Sequence, residues 1–135
     1  MKTVRGSPAP ATIIGGPGGL RVRGRAQSSQ PRAIVVLVTC PTKTVARRLA
    51  TALIKRRLAA CVNLVPQVES VFWWQGKIDR VRESLLVIKT TQARFAAMKN
   101  AITALHPYDV PEIIALPITA GHRPYLDWVA SSVKS

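Results

Sequence analysis

The sequence predicts an α+β domain of the ferredoxin-like split βαββαβ type, and three observations point there. Residues 34–39 read Ile-Val-Val-Leu-Val-Thr, a β-branched run that suits a strand buried on both faces. Two stretches, Val45-Leu49-Ala52-Leu53 and Phe95-Met98-Ile102-Leu105, repeat apolar residues at intervals of three and four and so carry one apolar stripe each. The remaining apolar runs are short and bounded by turn residues, as strands are. The order is β-α-β-β-α-β with a short C-terminal helix.

Each element has a local reason. Pro41 breaks the first strand, and Thr42 supplies an N-cap for a helix that runs to about Leu58. Ala60–Val65 and Val68–Trp74 read as one long strand interrupted at Pro66, where the missing N–H implies a bulge or an edge position. Residues 75–79 read as a turn, and Glu83–Thr90 as a third strand that pairs with the second in a hairpin. The second helix ends at His106-Pro107, Ile113–Ile118 forms the fourth strand, and a terminal helix begins near Tyr125. Both crossovers contain a helix, which places the helices together on one face of the sheet. Strands one, three and four are apolar on both faces, more than two helices can cover. Self-association follows, with the aromatic hairpin around Trp73-Trp74 as its reaching arm.

Composition narrows the function classes. The chain of 135 residues carries a formal net charge of +14. Residues 1–32 contribute Lys2, Arg5, Arg21, Arg23, Arg25 and Arg32 with no acid, which leaves +8 on residues 33–135. The head is rich in Gly, Pro and Ser and has no apolar period, so residues 1–32 are expected to be a disordered basic extension and residues 33–135 the folded domain. The cluster Arg47, Arg48, Lys55, Arg56 and Arg57 falls on the first helix and reads as its solvated face, so no nucleic-acid partner is expected. Only Cys40 and Cys61 are present, too few for a disulfide framework. No run approaches the roughly 20 apolar residues of a membrane span. The cytoplasm is the expected compartment, with a plastid or mitochondrion as the alternative if the acid-free head is a transit peptide. No triad, phosphate-cradling loop or His-Glu-x-x-His pattern occurs, and an enzyme is not expected.

Several motifs together resemble the CutA family. These are Thr39-Cys40-Pro41, Arg57-Leu58-Ala59-Ala60-Cys61-Val62-Asn63, Trp73-Trp74-Gln75-Gly76-Lys77, Ile88-Lys89-Thr90, His106-Pro107-Tyr108-Asp109-Val110-Pro111-Glu112-Ile113 and Tyr125-Leu126-Asp127-Trp128. The resemblance covers residues 33–135. It implies a homotrimer of ferredoxin-like subunits similar to PII signalling proteins, and a role in tolerance of copper and other divalent ions.

The resemblance also implies a copper site, from which this sequence departs. Family members that bind copper are expected to use a Cys just before the strand-end Thr and a His-His pair before Pro-Tyr; here those positions hold Val38 and Leu105-His106. Cys40 and His106 remain as candidate copper ligands, a soft thiolate and an imidazole. Against this, a strand-end Cys can be simple core packing, and a histidine at a helix end can be a cation held by the C-terminal carbonyls. The alternative function is a PII-like trimer with a small molecule in its inter-subunit clefts, using Trp74, Lys77, Lys89, Tyr108, Glu112, Tyr125 and Trp128. Lys89 inside an apolar strand needs a partner, and Glu112 across a subunit boundary is the expected one.

Overall fold

The computed structural model describes residues 31–134. The head expected to lack fixed structure falls, over residues 1–30, outside the described residues. Arg32, assigned to that head, already belongs to the domain, because its carbonyl accepts the Gln92 N–H at 2.8 Å.

Eight residues, Ala33–Cys40, form β1, and Lys43–Lys55 form α1. A long hairpin follows, β2 (Cys61–Trp74) and β3 (Lys77–Thr91), then a single 3₁₀ turn, α2 (Phe95–Leu105), β4 (Ile113–Pro117) and α3 (Arg123–Ser132). The sheet order is β2-β3-β1-β4 with every neighbouring pair antiparallel. The β3 strand is thus inserted between β1 and β2, which defines the ferredoxin-like fold.

Thr42 caps α1 as its sequence suggests, with Oγ1 accepting the Val45 N–H at 3.1 Å. The helix stops earlier than its apolar period allows, because Arg57 turns left-handed at φ 59°. Leu58 then donates to the Leu53 carbonyl and Arg57 to that of Ile54, the paired bonds of a Schellman close. This close also buries Leu58 beside Leu53.

Alternate residues of β1 set the core. Ile34, Val36, Val38 and Cys40 pack with Leu86 and Ile88 of β3 under Ala46, Leu49 and Leu53 of α1 and Met98, Ala101 and Ile102 of α2. Each large aliphatic side chain so enclosed contributes about 1.5–3 kcal/mol. On the opposite face, α3 lies against β3 and β1 with Val129 and Val133 buried. The terminal helix thus covers part of the face that two helices leave bare. Ile114 and Leu116 on β4, and Val65 on β2, remain exposed.

The third strand is longer than expected and the turn shorter. Only Gln75 and Gly76, at φ 49° and 80°, separate the strands, so pairing begins at Trp74↔Lys77. Both positive φ angles fit a type I′ turn, whose twist suits a two-residue hairpin. Pairing slips between Val65 and Val68, the bulge that Pro66 on this edge strand demands. Beyond Ser84, β3 pairs with β2 alone. Residues 68–83 therefore form a two-stranded arm reaching about 23 Å past the sheet. Val71, Trp73 and Ile78 share one face of it and are exposed, Trp73 at 72%.

Candidate functional site

Three elements meet where β1 ends, and their polar groups are buried together. Thr39, Cys40, Glu83, Ser84, His106 and Tyr108 all lie below a tenth exposed. Tyr108 Oη donates to Glu83 Oε2 at 2.8 Å, and Ser70 Oγ donates to Glu83 Oε1 at 2.7 Å. Buried carboxylates need such donors, and these two tie the loop after α2 to the base of the arm.

His106 stands at the C-terminus of α2 but is held as a neutral ring. Its Nδ1 accepts the Tyr108 N–H at 3.1 Å and its Nε2 meets the Thr39 carbonyl at 2.8 Å. A carbonyl only accepts and an N–H only donates, so both bonds are met by the tautomer with its proton on Nε2. The helix-end cation expected from position alone is replaced by an imidazole joining α2 to β1.

Cys40 follows Thr39 directly and is fully buried, on the core face with Val38. Burial first, and the nearby Glu83 charge second, push its thiol up to about 12. Thr39 Oγ1, equally enclosed, has no hydrogen-bond partner among the described residues. Cys40 and His106 are therefore brought to one end of β1, linked through Thr39. Among the described residues, no group of three or more His, Cys, Asp and Glu side chains is placed to hold a metal ion. A metal on Cys40 and His106 would have to displace the thiol proton and the His106–Thr39 bond.

The residues assigned to a cleft divide into separate places. Lys89 reaches Asn63 Oδ1 on β2. In the sheet register Lys89 stands level with Val35 and Leu116, whereas Glu112 precedes Ile113 beside Val38, at the other end of β4. Burial first, then the neighbouring Cys61, raise the Tyr125 phenol. Cys61 and Lys89 are direct cross-strand partners, so Lys89, Asn63, Cys61 and Tyr125 make one polar cluster beside α3. Cys61, which its apolar neighbours place in the core, is instead half-buried on the α3 side. Trp128 stacks on Tyr125 at 5.6 Å. Trp74 and Lys77 stand opposite each other at the arm tip, roughly 40 Å of extended strand from Lys89. Tyr108 faces Glu83 inside the molecule. Sequence reasoning missed Glu83 and Ser70, because nothing local shows that a carboxylate between Arg82 and Ser84 turns inward.

With this geometry established, comparison with known proteins is decisive. A family profile described as CutA1 divalent ion tolerance protein matches residues 34–132. The chain belongs to this family. A "Divalent-cation tolerance protein CutA" from Thermus thermophilus is 54% identical over 95 residues, 70% of this chain and 92% of that one. The rice "Protein CutA 1, chloroplastic" is 46% identical over 83% of this chain but only 63% of its own length. The crystal structure of CutA1 from Oryza sativa superimposes with a TM-score of 0.75 at 48% identity, covering 77% of this chain and 95% of that one. Among the described residues, no helix is long and apolar enough to cross a membrane.

Proposed function

We propose that this CutA protein serves in tolerance of divalent ions as a homotrimer, that copper is the ion it binds, and that it is not an enzyme. The observation that supports the copper reading is that the His106 imidazole bonds the carbonyl of Thr39, the residue next to Cys40, so that both candidate ligands belong to the end of β1. A thiolate and an imidazole select copper over hard ions. A site of so few ligands within one chain is completed by groups from a neighbouring copy. The exposed apolar face of the arm, with Ile114 and Leu116 on β4, supports that assembly.

A second reading rests on a different observation. The polar cluster of Lys89, Asn63, Cys61 and Tyr125 lies on an otherwise apolar sheet face, beside exposed Trp128. In a trimer this cluster, met by Trp74 and Lys77 from a neighbour's arm, suits a small anionic ligand of PII-like type. As to compartment, the domain is read as cytoplasmic. The chloroplastic rice relative supports the alternative in which residues 1–32 address a plastid, tested by fusing them to a fluorescent reporter.

Native mass spectrometry of the full chain with copper(I) and copper(II), under reducing conditions, tests the first reading. A trimer with a whole-number copper load that Cys40→Ser and His106→Ala abolish is expected. A trimer that stays metal-free, or a load indifferent to both substitutions, refutes the site and favours the cleft.

A further inference from the structure

Charge is distributed very unevenly over this fold. All six acidic residues, Glu69, Asp79, Glu83, Asp109, Glu112 and Asp127, lie on the arm, in the loop after α2 or on α3. The layer made by α1 and α2 has none. Instead it presents Lys43, Arg47, Arg48, Lys55, Arg56 and Lys99, all exposed. A helix face that is merely solvated usually mixes both signs, since like charges four apart, such as Lys43 and Arg47, disfavour the helix. A layer that keeps such repulsion without a single acid is built to meet a polyanion.

The shape of α1 narrows the ligand. Arg47-Thr51-Lys55 and Arg48-Ala52-Arg56 run along adjacent rows of the helix and line a shallow concavity of about 520 Å³. Its ends are two pairs of cations eight residues apart, about 12 Å along the axis. Its middle is floored by the small side chains Thr51 and Ala52. Guanidinium groups grip phosphate oxygens two at a time, and a linear chain lying in the groove would meet one pair at each end. Among the described residues no aromatic side chain lines it, whereas readers of single-stranded nucleic acid stack bases on aromatic rings. We infer that the α1 groove binds a bare chain of phosphates, inorganic polyphosphate. Such a chain is itself an oxygen-rich ligand for divalent ions, so the groove would bring a metal-holding polyanion to a divalent-ion tolerance protein.

The test uses the full chain and fluorescently labelled long-chain inorganic polyphosphate, with anisotropy read across a salt series. Arg47→Gln/Arg48→Gln/Lys55→Gln/Arg56→Gln is expected to bind about tenfold or more weakly and to lower the slope of log K against log salt by about 3. The charge-matched variant Arg5→Gln/Arg21→Gln/Arg23→Gln/Arg25→Gln is expected to stay within about twofold of the parent. Thr51→Glu keeps all four cations but puts a carboxylate in the floor, and is expected to weaken binding as strongly. Equal losses in the two quadruple variants would reduce the effect to net charge and overturn the groove. Unchanged binding by Thr51→Glu overturns it too, as does tighter binding of mixed-sequence single-stranded RNA than of polyphosphate at equal phosphate concentration.

Discussion

Glu83 is the residue on which the polar end of the domain depends, because a buried carboxylate tolerates no loss of donors. Tyr108 and Ser70 both donate to it. Tyr108→Phe keeps the ring but removes one donor, and is expected to cost about 1–3 kcal/mol, read as a lower urea midpoint at unchanged slope. Cys40 makes a second prediction with a definite sign. Its thiol titrates near 9 when unfolded and is pushed up to about 12 when folded. Between these values the unfolded chain has lost a proton that the folded chain retains, so stability falls as pH rises. Below about 9 the contribution is fully present. Urea melts of the metal-free protein above and below that pH, compared with Cys40→Ala, should show a larger alkaline loss for the parent. An equal loss in both would remove Cys40 as its source.

At the scale of elements, the arm depends on a turn that only two residues make. Gly76 holds φ 80° with nothing within 4 Å of the position a Cβ would take. The cost of Gly76→Ala is therefore backbone strain alone, about 1–2 kcal/mol, visible as a lower melting temperature. Gln75, at φ 49°, is less suited to its place than Asn, and Gln75→Asn should shift the melting temperature the other way. Here the sequence is legible only in part. The pair Gln75-Gly76 marks a turn, yet the polar residues Lys77, Asp79 and Arg80 disguise the start of β3. Their strand conformation comes from pairing with Val71–Trp74, which no local propensity reports.

For the whole molecule, the exposed apolar groups lie where one chain cannot cover them. Val71, Trp73 and Ile78 occupy one face of the arm and are left exposed by the described residues, and Ile114 and Leu116 lie on the edge strand β4. Light scattering after size exclusion should give a trimer for the parent. Trp73→Arg combined with Ile114→Asp should shift it to smaller species, since charges buried in an apolar interface are costly. A trimer that persists in this variant, with melting unchanged, would place the interface elsewhere.

Apolar period and punctuation by themselves determined the element order, the cap at Thr42, the bulge at Pro66 and the core stripes of both long helices. These are local matters: a period of two or of 3.6 and a missing N–H act within a few residues. Tertiary structure alone decided that α3 crosses the second sheet face, that His106 is a neutral link between α2 and β1, that Glu83 turns inward to Tyr108, and that Lys89 meets Asn63 on β2. Each joins residues at least 25 positions apart in sequence, and it is the packing of the sheet that brings such residues together.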